Sequence, residues 1–185
     1  MRTFVVALLF ASSPAFAGDL LGPLQKEGAV LGVKPGAPVS DLPESMKAKN
    51  DWEYLLDAPT EVTLGSRPVY EVKATVVDGS VKSLEVQFGG GGEQEHAVIQ
   101  KLTERLCEGL ELHPLPTQSP LGSPQPGVEW DPAMQAKRVC SGERHGSSFY
   151  LRETHNYSYS QRHGNITVKA GVEAIRKPQG AKKTP

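Results

Sequence analysis

The side chains of this chain best suited to metal or acid–base chemistry are its five histidines. None belongs to an H-E-x-x-H motif, and the spacings of ten and eight residues between His145, His155 and His163 match no common zinc pattern. These three residues lie next to predicted strands in the second half, so their rings could converge if those strands were neighbours. They are the candidate metal ligands, with solvated loop histidines as the alternative, and we assign the chain no metal and no other cofactor.

Four consecutive glycines, Gly89 to Gly92, stand between a predicted strand and a predicted helix, where glycine-rich turns can cradle phosphate. The chain lacks both the P-loop spacing and the G-x-G-x-x-G spacing at this point. The preceding strand is predicted to belong to an antiparallel hairpin, whereas dinucleotide sites need parallel crossover units. Glu93 and Glu95 at the helix start would also repel a phosphate. The glycines therefore predict a joint at which the chain doubles back, not a nucleotide site.

No motif for covalent or acid–base catalysis is present. The chain has no G-x-S-x-G for an esterase-type serine. Paired acids such as Glu93 and Glu95 favour a helix dipole at a helix start, rather than forming an acid–base pair. We therefore predict no catalytic residue and a non-enzymatic protein, and we keep a metal-assisted hydrolase that uses the second-half histidines as the alternative.

Cys107 and Cys140 are the two cysteines of the chain. In an oxidising compartment, two thiols with one available pairing predict a disulfide. The bond would close a loop of 33 residues and stabilise the fold by about 3 to 4 kcal/mol on the chain-entropy model. No catalytic-cysteine signature surrounds either residue, so a reactive thiol is the less favoured alternative.

The first 17 residues, MRTFVVALLFASSPAFA, have the features of an export signal. A positive charge at Arg2 precedes an apolar run, and Ala15 and Ala17 form a small-residue cleavage pattern. The run is too short to cross about 30 Å of hydrocarbon, and no later apolar stretch approaches the roughly 20 residues that a membrane helix needs. We expect a signal peptide over residues 1–17, cleavage after Ala17, and a periplasmic or secreted mature chain without a transmembrane segment.

The charge balance gives no broad attraction to nucleic acid or to an anionic membrane. The chain has 20 basic and 21 acidic residues. Loss of Arg2 with the signal leaves a formal charge of −2, which is close to neutral. The basic residues of the 176–185 tail lie in a short segment with proline and glycine, which is typical of a disordered terminus.

The strongest structural pattern is a β-hairpin over residues 69–77 and 81–88. With a three-residue connection at positions 78–80, Ala74 lies opposite Leu84, Val72 opposite Val86, and Tyr70 opposite Phe88, which places every large apolar side chain on one face. A short strand is expected over 52–56. Earlier in the chain, prolines argue for turns around one short helix that Ser40 caps, with acidic residues in its first turn.

Helical spacing follows the glycines. Apolar residues recur at that spacing at Val98, Ile99, Leu102 and Leu106. Gly109 is a suitable residue to end the helix. We expect the helix to cover the apolar face of the hairpin. Further strands are expected over 136–140, 147–152, 156–161 and 166–172, and a turn at positions 163–165 joins the last two.

The order of helices and strands favours an α+β fold, with an antiparallel sheet and one or two helices on one face. We predict a single domain over residues 18–175. Two small lobes over 30–112 and 128–175, joined by the proline-rich loop 113–127, are the alternative.

The segment LGVKPGAPVSDL, which opens a short helix before a hairpin, resembles the small exported domains of the SmpA-like outer-membrane assembly lipoproteins and the β-lactamase-inhibitor proteins. The resemblance covers residues 31–88. It implies helices on one face of an antiparallel sheet and a function in binding other proteins. This chain departs from the lipoproteins because Gly18, not a cysteine, follows the predicted cut.

The second half also carries Tyr150, Tyr157 and Tyr159, of which the last two share one face of a strand. Exposed tyrosines offer rigid contact area and a hydrogen-bonding tip, so they are the candidate partner surface; a role in the second-half core is the alternative. We therefore expect an exported binding protein whose partner is an envelope protein or a glycan, with a structural envelope component as a further alternative. The oligomeric state is left open.

Overall fold

A computed structural model describes residues 18–57, 61–91, 93–114, 134–156 and 161–171. These residues form an α+β fold with a mostly antiparallel sheet, as the sequence predicted. The helices are α1 (Leu21–Glu27) and α2 (Glu93–Gly109). The strands are β1 (Gly18–Asp19), β2 (Met46–Ala48), β3 (Glu53–Leu56), β4 (Val62–Leu64), β5 (Arg67–Val77), β6 (Ser80–Gly91), β7 (His113–Pro114), β8 (Met134–Arg144), β9 (Ser147–Asn156) and β10 (Gln161–Ala170).

The strands lie side by side in the order β1-β4-β5-β6-β10-β9-β8-β7, and the β2–β3 ribbon pairs with β5. Only the short β1–β4 pair is parallel among the described strands. The last strand, β10, lies between β6 and β9. Both halves of the chain therefore contribute to one sheet, although they are far apart in sequence.

The hairpin of β5 and β6 has the predicted central register, with Ala74 opposite Leu84 and Val72 opposite Val86. Its two ends differ from the prediction. A β-bulge places Val69, not Tyr70, opposite Phe88. At the turn, a two-residue connection and a second bulge replace the three-residue connection, because both turn residues have the positive φ that a tight hairpin turn needs.

Gly89 to Gly91 are strand and not a joint, so that prediction was wrong for these three glycines, and Gly92 lies outside the described residues. β6 continues through Gly91, and Gly89 and Gly90 pair with β10. A Cβ on Gly89 would lie 2.8 Å from Nδ1 of His163, and one on Gly90 would lie 2.9 Å from Oε2 of Glu95. Glycine is needed here because neighbouring side chains fill the space that its own side chain would take.

The predicted turn at positions 163–165 was also wrong, because these residues lie inside β10. Gly164 misled the prediction. Its backbone is regular strand, and a Cβ there would lie 2.2 Å from the ring of Phe88 on the next strand. The predicted strands over 136–140 and 147–152 exist within the longer β8 and β9. Of the predicted 156–161 strand, positions 157–160 lie outside the described residues.

The N-terminal segment differs from the prediction as well. Residues Val39–Asp41 form a 3-10 turn whose N-cap is Pro38, and no side chain caps it. The Ser40 hydroxyl instead lies 3.3 Å from Oδ1 of Asp41, so Ser40 is not the predicted cap. The α1 helix was not predicted; it ends at Gly28, whose φ of 68° is the left-handed conformation of a helix C-cap.

Both helices cover one face of the sheet. Helix α2 lies over β6 and β10, and α1 lies beside α2. Leu21 of α1 and Leu102 of α2 both lie next to the Cα of Gly65, where they would contact an added Cβ. Ile99, Leu102 and Leu106 are buried as predicted, but Val98 is exposed. The predicted disulfide is confirmed: Cys107 on α2 is bonded to Cys140 on β8, with a Cα–Cα distance of 6.2 Å.

No helix among the described residues is long and apolar enough to cross a membrane. The predicted signal peptide over 1–17, nearly all of the 113–127 loop and the 176–185 tail lie outside those residues. His113 and Pro114, at the start of the predicted loop, form β7 and pair with β8.

Candidate binding surface on the open sheet face

The sheet has two faces of opposite character. On the helix-covered face, alternate residues of β5, β6, β9 and β10 are buried and apolar, as in the row Val72, Val86, Ile166 and Leu151. The residues between them point to the other face, which neither described helix covers. We call this second face the open face.

The open face is polar and half-buried. Across the strands its rows are formed by Lys73, Glu85, Thr167, Tyr150 and Ser141; by Glu71, Gln87, Asn165 and Arg152; by Gly89, His163 and Thr154; and by Thr75, Ser83, Lys169, Ser148 and Glu143. Cross-strand neighbours on such a surface lie close enough to bond each other. The rows therefore place polar side chains of neighbouring strands side by side.

A hydrogen-bonded network fixes the centre of the open face. Nζ of Lys73 lies 2.9 Å from Oε2 of Glu85, and the Asn165 amide donates to the other oxygen of the same carboxylate. The Thr167 hydroxyl donates to Oδ1 of Asn165 at 3.2 Å. These four side chains are thus held in one arrangement.

The network keeps Glu85 ionised. Burial alone would raise the pKa of Glu85, but hydrogen bonds from Lys73 and Asn165 and the charges of Lys73 and Lys169 outweigh it, so the pKa lies below its usual value. The hydrogen bond to Glu85 raises the pKa of Lys73, although burial acts in the opposite direction. Glu85 is therefore a fixed anion at neutral pH and not a group that exchanges protons there.

Tyr150 and Arg152 lie next to this network on β9 and point to the same face because they are two residues apart. Tyr150 is 40% exposed. Arg152 is half-buried, and it has no hydrogen-bond or ion-pair partner among the described residues. A ring with exposed surface therefore lies beside a guanidinium whose donors no described residue accepts.

An aromatic pair lies at one end of the open face. The rings of Tyr70 and His163 meet edge to face, with their centroids 6.0 Å apart, and the Tyr70 hydroxyl donates to the carbonyl of Gly89 at 3.0 Å. Because Gly89 has no side chain, the His163 ring can lie over it. The exposed side of Tyr70 extends the aromatic surface towards β5.

On the opposite face, a buried charged cluster ties α2 to the sheet. Arg162 on β10 and Glu153 on β9 are 2% and 1% exposed. Nε of Arg162 lies 3.0 Å from Oε1 of Glu153, but the N–H is not directed at that oxygen, so the contact is electrostatic and not a hydrogen bond. Nη1 of Arg162 donates to the carbonyl of His96 at 2.7 Å.

The Thr103 hydroxyl completes the buried charged cluster. Its oxygen lies 2.7 Å from Oε2 of Glu153 and 2.8 Å from the carbonyl of Gln100. One hydroxyl proton cannot serve both acceptors, and the charged carboxylate is the stronger one. The cluster is enclosed by the protein, so its role is to position α2 and not to contact a ligand.

The three candidate metal ligands do not meet at one point, because His145 lies far from His163. His145 lies in the β8–β9 turn, where its Nε2 donates to the carbonyl of Gln25 at 2.9 Å. His163 pairs with Thr154, seven residues along β9 from the start of the strand, which is about 23 Å at strand spacing. His155 lies opposite Arg162 in the register. The described residues contain no group of three or more His, Cys, Asp or Glu side chains that could hold a metal ion.

Of the predicted tyrosine surface, the structure places Tyr150 on the open face, whereas Tyr157 and Tyr159 lie outside the described residues. Sequence reasoning missed Arg152, Asn165 and the buried Glu153–Arg162 pair. Arg152 could have been found, because period-two alternation from Tyr150 places it on the same face of a predicted strand. The other three depend on which strands are neighbours, which local sequence does not reveal.

Comparison of this chain with protein-family models, with curated proteins and with solved structures finds no match.

Proposed function

We propose that this chain is an exported, disulfide-bonded protein that acts by binding another protein through its open face, in the periplasm or cell envelope. The observation that carries the proposal is the position of the exposed Tyr150 beside Arg152, which has no partner among the described residues, on a sheet face that the described helices leave uncovered. Tyrosine and arginine are the residue types most enriched at the energetic centres of protein interfaces.

The chemistry of the open face favours binding over catalysis. A general acid or base needs a pKa near the working pH. The pKa of Glu85 is shifted the other way, and Lys73 and Asn165 hold its carboxylate in place. Such a preorganised network orders a surface before a partner arrives, which lowers the entropy cost of association.

Export is supported by the signal pattern over residues 1–17 and by the disulfide, which is typical of oxidising compartments. The resemblance of residues 31–88 to the SmpA-like and β-lactamase-inhibitor proteins implies a binding function as well. Fractionation of the native cells, with N-terminal sequencing of the recovered chain, tests the location and the cut after Ala17.

The binding function is tested by affinity capture from the native envelope, followed by mass spectrometry. Wild type and the variants Tyr150→Ala and Trp52→Ala are compared. Trp52 is the matched control, since it is an exposed aromatic, 57% accessible, in the turn before β3. We expect one protein to be recovered with wild type and with Trp52→Ala, and to be lost with Tyr150→Ala.

The result that contradicts the proposal is equal recovery with Tyr150→Ala while that variant unfolds at the wild-type urea concentration. Recovery of a glycan instead of a protein, again dependent on Tyr150, would support the alternative partner class. Equal recovery of the protein with all three chains would place the contact elsewhere on the molecule.

A further inference from the structure

We infer that the protein partner presents an aspartate or glutamate side chain to Arg152, with an apolar side chain two residues away against Tyr150. The inference rests on the proposed function and specifies the chemistry of the partner segment. It starts from the environment of Arg152, a half-buried cation with no hydrogen-bond or ion-pair partner among the described residues.

The described carboxylates of the open face are either engaged or well beyond contact distance of Arg152. Glu143 on β8 pairs with Ser148, four residues along β9 from Arg152, which is about 13 Å at strand spacing. Glu85 is bonded by Lys73 and Asn165, and Glu71 accepts from the Gln87 amide at 3.2 Å. Glu71 is also three strands from Arg152 in the same row, which is about 14 Å at normal strand spacing. The protein therefore does not neutralise Arg152 from its own described surface.

The neighbours of Arg152 whose side chains the structure describes are uncharged. Tyr150 and Thr154 flank it along β9, and Asn165 lies across from it on β10. A carboxylate that approaches Arg152 thus meets no local negative charge. The planar guanidinium can bind both carboxylate oxygens at once, which is the geometry that arginine provides and lysine does not.

The spacing of Arg152 and Tyr150 sets the form of the partner. Their Cα atoms are two strand residues apart, or about 7 Å. An extended polypeptide segment has the same two-residue spacing, so an acidic residue over Arg152 places its i+2 side chain over Tyr150. An apolar residue there would bury the exposed ring and keep water from the ion pair, which strengthens it. The expected motif is acidic-x-apolar, read in either direction.

The test uses immobilised twelve-residue peptides that contain Asp or Glu, one intervening residue and Leu or Phe. Each has a matched peptide in which Asn or Gln replaces the acid. Binding of the full-length oxidised chain is measured together with that of the variants Arg152→Gln and Lys169→Gln. Lys169 is the control because it is an exposed cation on the same face, two rows away on β10.

We expect wild type to prefer the acidic peptides by about ten- to hundredfold, the range for a charge-assisted hydrogen-bonded pair. Arg152→Gln should abolish the preference, and Lys169→Gln should reduce it by less than about threefold. Arg152→Gln should unfold as wild type does, because the side chain has no described partner to lose. A preference that survives in Arg152→Gln, or that falls equally in both variants, overturns the inference.

The two proposals fail in different ways. If wild type binds acidic and amide peptides equally while capture of the native partner still depends on Tyr150, only the carboxylate inference is wrong. If native capture is unaffected by Tyr150→Ala and Arg152→Gln alike, the proposed function of the open face is wrong, and the inference is overturned with it.

Discussion

Replacement of Arg162 by Met should destabilise the protein strongly, although it leaves the buried hydrocarbon volume nearly intact. Methionine keeps most of the buried stem of arginine but removes the guanidinium. Glu153 then stays in the core, 1% exposed, with the Thr103 hydroxyl as its remaining partner. The carbonyl of His96 loses its donor as well.

The expected loss is about 3 to 5 kcal/mol of the free energy of unfolding, the usual cost of leaving one member of a buried ion pair without its partner. Typical domains have a total of roughly 5 to 15 kcal/mol. The variant should therefore fold at low temperature and unfold at a clearly lower urea concentration. Replacement of both charged residues, Arg162→Met with Glu153→Leu, should recover most of the loss, because no unpaired charge stays buried.

Urea unfolding followed by circular dichroism at pH 7, with the disulfide intact, measures these differences. Arg105→Met is the control, because Arg105 is an exposed arginine on the same helix; it should change the unfolding free energy by less than about 0.5 kcal/mol. A loss below about 1 kcal/mol for Arg162→Met, or a double variant as unstable as the single one, would refute the reasoning. The buried charged cluster would then be solvated or replaceable, not a fixed tie between α2 and the sheet.

Three further changes have effects that the geometry predicts. Replacing Cys107 and Cys140 together by Ser should cost about 3 to 4 kcal/mol of unfolding free energy in urea, since the closed loop has 33 residues. Gly164→Ala should cost about 1 to 3 kcal/mol in the same assay, because its Cβ would lie 2.2 Å from an aromatic ring. Because folding lowers the pKa of Glu85, its ionised carboxylate stabilises the folded state at pH values above 4.5, its pKa in the unfolded chain. This stabilisation is lost as the pH falls through the lower pKa of the folded state. The urea midpoint of Glu85→Gln should therefore vary less with pH below about 4.5 than that of wild type. The raised pKa of Lys73 acts at alkaline pH. The stabilisation from its ammonium group is fully present below pH 10.5 and is lost as the pH rises through the higher pKa of the folded state.

Each of these three predictions has a contradicting result. A double serine variant as stable as the disulfide-bonded protein would show that other contacts already hold α2 and β8 together. Unchanged stability of Gly164→Ala would show that the facing ring moves aside without cost. If the urea midpoints of wild type and Glu85→Gln depend on pH in the same way below pH 4.5, the open-face network adds nothing to the stability of the folded state.

The parts of the fold that local sequence determines were predicted well. Alternation along β5 and β6 identified the central hairpin register, because a one-residue slip would turn every apolar side chain outward. Helical spacing identified the buried side of α2, apart from Val98 at its margin. The two cysteines paired as expected.

The errors came from residues whose roles depend on a neighbouring strand. Gly89 and Gly164 were read as turn signals, yet each is strand backbone that makes room for a side chain from elsewhere. The same limit hid the partners of Arg162 and Asn165, since no pattern along the chain shows that β10 pairs with β6. Strict alternation of inward and outward residues also could not predict the bulge that places Tyr70 on the open face.

The position of the Cys107–Cys140 bond has a consequence for proteolysis. Cys107 precedes the 115–133 segment in the sequence and Cys140 follows it. In the same way, β6 precedes the segment and pairs with β10, which follows it. A protease that cuts one peptide bond in that segment would produce two polypeptides that stay covalently joined and keep their shared sheet. Such a nicked protein would migrate as one band on a non-reducing gel and as two after reduction. Cleavage within the segment would therefore leave the two halves of the molecule joined by the disulfide and by the shared sheet.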